Sequence, residues 1–321
     1  MRFIVVGAGA IGGVIGGRLH QHGHDVVLVA RGDHYRALAD HGLQLQAPEG
    51  TVHLDVPVEA NLGAIGWRDG DVVIMAVKSQ DTRGVLADLD HVAPPDVPIV
   101  CAQNGVDNER AALRVSSNVY AMCVMCPATH LSPGTVSVYS SPVSGVLDLG
   151  RWPTGIDATA GALASALEAS SFRSQAVVDI GTLKWGKLLS NLNNAIEALC
   201  GPLSGPNELS RRVRDEAVEA LGAHGVDALD ASRALGERMS LVGYQPIGGA
   251  QRGGGSSWQS LERATGHIET EYLNGEIVLL ARLAGLTAPA NALLVRRANE
   301  AAWRHRAPGS TTVDELLHAL G

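Results

Sequence analysis

Phe3-Ile4-Val5-Val6-Gly7-Ala8-Gly9-Ala10-Ile11-Gly12 sets four apolar residues directly before a G-x-G-x-x-G spacing, and a helical stretch runs on from it to about Gly23. That context, a strand before the glycines and a helix after them, gives the spacing a mechanism. The first glycine, Gly7, permits a tight turn, Gly9 lets backbone approach a pyrophosphate, and Gly12 lets helix and strand pack closely. Backbone N–H groups at the helix start, those of Ala10 and Ile11 included, then face negative charge, which the helix dipole also favours. The stretch therefore reads as the phosphate-binding turn of a nicotinamide dinucleotide fold.

Working outward, Val26 to Ala30, Val72 to Val77 and Pro98 to Cys101 repeat the short Val/Ile-rich run, with polar helical segments such as His34 to His41 between them. Strands alternating with helices predict a doubly wound parallel sheet of the Rossmann type, and unbroken apolar runs fit strands covered on both faces. Val119 to Pro127, Thr135 to Tyr139, Val146 to Leu149 and a last run near Ala176 to Val178 continue the strand signal, and Gly155 to Ser170 reads as helix. From Leu183 the Ala/Leu/Glu/Arg periodicity is almost wholly helical, broken at Gly201-Pro202, Gly205-Pro206 and Gly248 to Gly255. We therefore expect an α/β domain over 1–178 and an all-α domain over 179–321, in line with a prior of roughly 150 residues per domain.

Composition narrows the function. With 25 Lys+Arg against 33 Asp+Glu the chain carries net charge −8, so no general positive field draws it to nucleic acid. Its four cysteines are too few for a disulfide scaffold, and a reduced cytoplasmic setting is expected. Cys123 and Cys126 lie three apart in a strand-like run and so face opposite sides, which reads as structural and not as redox or metal chemistry. No metal site is expected. Met1 to Gly17 has about the length of a signal-peptide core, but Arg18-Leu19-His20-Gln21-His22 stands where a cleavage site belongs, and no run approaches the ~20 apolar residues of a membrane span.

The chemistry-bearing residues sit at strand ends and on helix faces. The second strand ends in Arg31, whose fork of donors suits a ribose 2′-phosphate and so selects NADP(H), while Asp33 keeps an NAD reading open. Lys78 and Asn104 emerge from the ends of two further apolar strands, where ligands of open α/β sheets sit. In the helical half, Lys187 and Asn191 share one helix face at i, i+4, with Lys184 one turn earlier. Ser257 follows the triple glycine Gly253-Gly254-Gly255, and Glu269 lies in His267 to Gly275, which reads as continuing helix.

In order and spacing, Gly7-x-Gly9-x-x-Gly12, Arg31, Val77-Lys78, Gln103-Asn104-Gly105, Pro133-Gly134-Thr135-Val136, Trp185-Gly186-Lys187-Leu188, Ser256-Ser257 and Glu269-x-x-x-x-Asn274-Gly275 resemble the ketopantoate reductase (2-dehydropantoate 2-reductase) family over nearly the whole chain. The resemblance implies NADPH-dependent reduction of a small 2-oxo acid, with Lys187 catalytic and Glu269 in the network around it. It also implies Lys78 and Asn104 at the cofactor, and Asn104, Lys187, Asn191 and Ser257 at the substrate. The chain departs from the family at two asparagine positions, occupied here by Ala195 and Gly254. Loss of a matched donor in a buried polar site costs about 1–3 kcal/mol, so a sibling reductase for another branched 2-oxo acid is the alternative within the class. A noncatalytic NADP(H) sensor is the alternative outside it. Apolar faces of the helical half are able to pack internally or against a second copy, which leaves a homodimer open.

Overall fold

The computed structural model describes residues 1–203, 205 and 207–321, so Pro206, one of the breaks read from the sequence, lies outside the described residues. The chain divides into two compact units, one made of Met1–Lys184 with Gly236–Arg252, the other of Trp185–Leu235 with Gly253–Gly321. The expected boundary after residue 178 thus stands beside a division that falls inside a helix and returns a later segment to the first unit.

The first unit holds eleven strands: β1 (Arg2–Val6), β2 (Asp25–Val29), β3 (Leu43–Ala47), β4 (Gly50–Leu54), β5 (Val58–Glu59), β6 (Asp71–Met75), β7 (Ile99–Cys101), β8 (Val119–Met125), β9 (Ala128–Thr129), β10 (Thr135–Val138) and β11 (Val146–Arg151). Its helices are α1 (Ala10–Gln21), α2 (Gly32–His41), α3 (Thr82–Val92), α4 (Asp107–Ala112) and α5 (Ala158–Glu168). Seven strands form one sheet in the order β11-β8-β7-β6-β1-β2-β5, parallel throughout except for the antiparallel edge strand β11. Chain order reverses between β1 and β6, which is the switch point of a doubly wound sheet. β1, β6 and β7 are apolar and covered on both faces, as their unalternating sequences require.

A second sheet, β4-β3-β10-β9, was not anticipated. Leu43-Gln44-Leu45-Gln46-Ala47 alternates cleanly, buried at each apolar position, but its parallel partner β10 begins only at Thr135. Helix α1 lies between the two sheets, and its glycines make room for both. A Cβ at Gly16 would stand 2.5 Å from Leu28 of the large sheet, and one at Gly13 would stand 2.7 Å from Val136 of the small one. Part of the chain's complement of 38 glycines therefore serves packing. The run expected as a last strand near Ala176 to Val178 makes only isolated bridges and backbone bonds to β11, such as Val177 N–H to Leu149 O at 2.8 Å.

The helix α6 (Ile180–Asn191) crosses the division between the units, and α7 (Asn194–Cys200), α8 (Glu208–Ala223), α9 (Ala228–Met239), α10 (Ser256–Glu262), α11 (Asn274–Leu283), α12 (Pro289–Trp303) and α13 (Val313–His318) follow. Within the second unit Glu216 of α8 accepts the N–H groups of Ala290 and Asn291 at 2.8 and 3.0 Å, setting a negative charge at the start of α12. Asn274 donates to Leu192 O and to Asn291 Oδ1, so this residue of the sequence pattern ties helices together. The segment read as helix from His267 is instead a 3-10 turn over Glu269–Tyr272, broken at Leu273 (φ −116°, ψ −89°) before α11 begins. No helix among the described residues is long and apolar enough to cross a membrane.

Candidate active site

In the first unit the sheet order puts four neighbouring strand ends on one edge. β7 leads to Asn104, β6 to Lys78, β1 to the glycine turn and β2 to Arg31, in the spatial order β7-β6-β1-β2. Because these strands are parallel, the glycine turn and the residues Asn104, Lys78 and Arg31 expected to meet the cofactor all emerge at the carboxyl edge, where ligands of this sheet type bind.

The turn itself is held from three sides. Gly7 and Ala8 donate to Val29 O at 3.0 and 3.3 Å, and Gly7 takes φ +94° against Val77. A Cβ at Gly12 would stand 2.2 Å from Gly7 O, whereas one at Gly9 would meet nothing within 4 Å. Gly12 is thus required by the protein's own packing, and Gly9 leaves an open approach of the kind a pyrophosphate needs. The residues present fit a dinucleotide.

The third hold is His34, which sequence reading passed over. Gly134 N–H donates to its Nδ1 at 2.9 Å, so Nε2 carries the proton and donates to Ala8 O at 2.7 Å. The Pro133-Gly134 turn therefore serves the glycine turn through this ring. His130, bonded to Thr135 O, stacks on His34 with centroids 4.2 Å apart. Burial pushes the His34 pKa below its ordinary 6.5, the Ala8 carbonyl acting against that shift. The unfolded chain then protonates first as pH falls, so this contribution is whole above about 6.5 and is lost as pH drops through the folded value. His34→Gln is expected to show a smaller loss of melting temperature between about pH 7.5 and 5.5 than the unaltered protein, read by thermal melts at both pH values. Equal losses would remove His34 from the acid response.

Arg31 caps the start of α2 with its side chain 73% exposed and 3.5 Å from Asp81. Asp33 is paired with Arg36. Lys78 precedes the 3-10 turn Ser79–Asp81 and accepts through its carbonyl from Asp81 N–H at 2.8 Å. Cys123 is buried in β8 and Cys126 follows that strand, their thiols directed to Leu183 O and Ser144 O, and both are free.

Behind Lys78 and Asn104 lies a buried polar network. Gln103 Nε2 donates to Val77 O and Thr82 Oγ1, both at 2.8 Å, and Thr82 Oγ1 donates to Asn108 Oδ1 at 2.7 Å. Asn108 Nδ2 donates to Asn104 O at 3.1 Å and to Ser79 Oγ at 3.2 Å. Lys184, one turn before Lys187, is buried, its ammonium 2.7 Å from both Gln103 O and Glu109 Oε1. Burial pushes the Glu109 carboxyl above its ordinary range, and Lys184 opposes the shift.

In the second unit, a Cβ at Gly186 would stand 2.2 Å from Ala231 O, so α9 lies directly against the backbone beside Lys187. Lys187 is half-buried, and Asn191, one turn on, is 4% exposed with its Nδ2 unpartnered among the described residues. Ser257, 1% exposed in the first turn of α10, likewise has an unpartnered Oγ. Buried donors without acceptors are uncommon in a finished protein interior and mark where a ligand's oxygens would complete them. Glu269 is buried in its 3-10 turn, and Arg263 is near enough for the carboxylate to oppose the depression that burial imposes on the guanidinium. Ala195 is buried in α7, and a Cβ at Gly254 would stand 2.5 Å from the Trp258 indole.

Two family models match this chain. The one described as ketopantoate reductase PanE/ApbA covers residues 3–153, and its C-terminal counterpart covers residues 179–302. A 2-dehydropantoate 2-reductase of Pyrococcus horikoshii is 25% identical over 92% of this chain and 95% of its own length, and one of Archaeoglobus fulgidus is 28% identical over the same shares. Among solved structures, a PanE/ApbA family ketopantoate reductase from Ralstonia eutropha superposes with TM-score 0.79 at 25% identity, covering 95% of this chain and 99% of that one. A D-mandelate dehydrogenase solved with NADH and anilino(oxo)acetate shares the fold with TM-score 0.81 at 22% identity, over the same shares.

Proposed function

The chain belongs to the ketopantoate reductase PanE/ApbA family, and from that membership we propose that it reduces a 2-oxo acid to the 2-hydroxy acid with NADPH, 2-dehydropantoate to pantoate being the simplest case. The observation that carries the reading is the pairing, one turn apart on α6, of Lys187 with an Asn191 whose buried Nδ2 donor has no partner among the described residues. A reductase of this kind needs a cation for the ketone oxygen and neutral donors for the rest of the substrate, and this helix face offers one of each.

Gly7, Gly9, Gly12 and the amides of Ala10 and Ile11 would hold the dinucleotide's pyrophosphate, with Lys78 and Asn104 at its nicotinamide half. When bound, that cofactor supplies hydride to the carbonyl carbon. Negative charge then builds on the carbonyl oxygen. The Lys187 ammonium stabilises it and transfers its proton to that oxygen, which yields the hydroxyl and leaves a neutral amine to be reprotonated from solvent. Asn191 and Ser257 donate to the substrate's remaining oxygens and fix the carbon for attack. Glu269, in ionic range of Arg263, balances positive charge around the lysine. Selection of NADPH rests on Arg31, exposed and free to turn from Asp81 to a 2′-phosphate, and is favoured by the engagement of Asp33 with Arg36.

A second reading is favoured by Ala195 and Gly254. With the Trp258 indole filling the space a side chain at 254 would need, this part of the second unit lacks those two amides and carries an aromatic ring, which suits a more apolar 2-oxo acid. The family fold is also that of a D-mandelate dehydrogenase, so the fold alone does not choose.

The test is a panel of 2-oxo acids, 2-dehydropantoate and an aryl member among them, assayed by nicotinamide absorbance with NADPH and with NADH. Turnover of 2-dehydropantoate with a preference for NADPH is expected. Turnover of only the aryl acid would replace the substrate and keep the reaction, and cofactor binding without turnover of any of them would turn the reading to a sensor.

A further inference from the structure

Lys184 is a buried charge that the reaction does not call for. It and Glu109 are both removed from water, and desolvating two ions commonly costs more than their attraction returns, so packing alone would favour an apolar pair. An apolar pair would lack one thing, a donor for the carbonyl of Gln103. That carbonyl lies beyond the end of β7, past the last ladder bond from Ala102 N–H to Met75 O. From there the chain must turn, with Gly105 at φ +79°, and the next two carbonyls have no strand to receive them. Side chains take over. Lys184 Nζ donates to Gln103 O at 2.7 Å, and Asn108 Nδ2 donates to Asn104 O at 3.1 Å. The neighbours Asn108 and Glu109 of α4 thus anchor both clamps, one directly and one by holding the ammonium.

We propose that Lys184 is a positioning residue, its ammonium neutralised by Glu109 and clamping the Gln103 carbonyl so that Asn104 is presented in one orientation at the sheet edge. The proposal deepens the functional reading above and rests on its assignment of Asn104 to the ligands. It also explains why the polar pair persists. Glu109 Oε1, 2.7 Å from the lysine nitrogen, keeps it seated, a part that an amide oxygen can also take, and the N–H donated to Gln103 O is what holds the turn.

The test separates positioning from charge balance. Lys184→Met alone leaves Glu109 without its counter-ion, so the informative variant is Lys184→Met with Glu109→Met, which removes both charges. We expect it to melt close to the unaltered protein while hydrogen exchange of the 103–106 amides, followed by mass spectrometry, speeds at least about tenfold. On a 2-oxo acid that the unaltered protein reduces, kcat falls at least about tenfold with KM for the cofactor little changed. Glu109→Gln removes the counter-ion but leaves an amide oxygen to seat the lysine nitrogen, which donates to Gln103 O as ammonium or as amine, so it should retain the original exchange and supplies a decisive comparison should the double variant not fold. Unaltered exchange over 103–106 in the double variant, or acceleration of about tenfold in Glu109→Gln, overturns the proposal. If the unaltered protein reduces no 2-oxo acid, the functional reading fails and exchange alone still decides whether Lys184 holds the turn.

Discussion

Lys187→Ala is expected to lower kcat for ketone reduction by about 100- to 10,000-fold, the range over which a positioned general acid contributes. Cofactor affinity should stay within about threefold, because the residues assigned to the dinucleotide all lie in the first unit and Lys187 lies in the second. Lys187→Arg divides the role further. A guanidinium keeps the positive charge beside the developing oxyanion but does not release a proton near neutrality, so charge stabilisation without acid chemistry should leave a rate between those of the Ala variant and the unaltered enzyme. Steady-state kinetics with a saturating 2-oxo acid, paired with fluorescence titration of the cofactor, checks both statements. Turnover of Lys187→Ala within about tenfold of the original would move the proton to another donor.

The shared helix face of Lys187 and Asn191 was legible because its signal is local. Gly186 beside them records the close approach of α9, so a few adjacent letters carry helix geometry and packing together. The glycine turn was legible for the same reason, since spacing within one strand–helix unit dictates where the backbone runs. Lys184 was not. Its partner carbonyl is 81 residues away, and nothing near Lys184 in sequence distinguishes a lysine that dives to a strand end from one that lies on the surface. The small sheet was hidden likewise, because β3 finds its parallel partner in β10 only after four strands of the large sheet have intervened. His34 depends on both failures, being on a correctly expected helix but bonded to a turn of the unexpected sheet. The pattern is physical: periodicity and spacing encode what a segment does to itself, while a buried polar contact between distant segments leaves one ordinary residue in each.

Gly12→Ala is expected to remove measurable dinucleotide binding and to lower the melting temperature, for a reason separable from the ligand. The new Cβ would fall 2.2 Å from Gly7 O and 3.1 Å from the Ala76 Cβ. The carbonyl has nowhere to withdraw, because the space beside Gly7 on its Cβ side is closed by Val77 at 2.8 Å and the following carbonyl is fixed by His34. Overpacking of this kind costs about 1–3 kcal/mol, which in a unit of this size corresponds to a melting shift of roughly 2–12 °C. Gly9→Ala provides the contrast. Its Cβ meets no protein atom within 4 Å, so the variant should melt with the unaltered protein, yet the methyl stands where the backbone must be bare for a pyrophosphate to approach. Cofactor-dependent thermal shifts on the two variants therefore give different results from one motif: Gly12→Ala loses stability and binding together, while Gly9→Ala loses binding alone. Retention of the cofactor-induced shift by Gly9→Ala would mean that the phosphates do not pass over that glycine, and the placement of the dinucleotide on this turn would have to be abandoned.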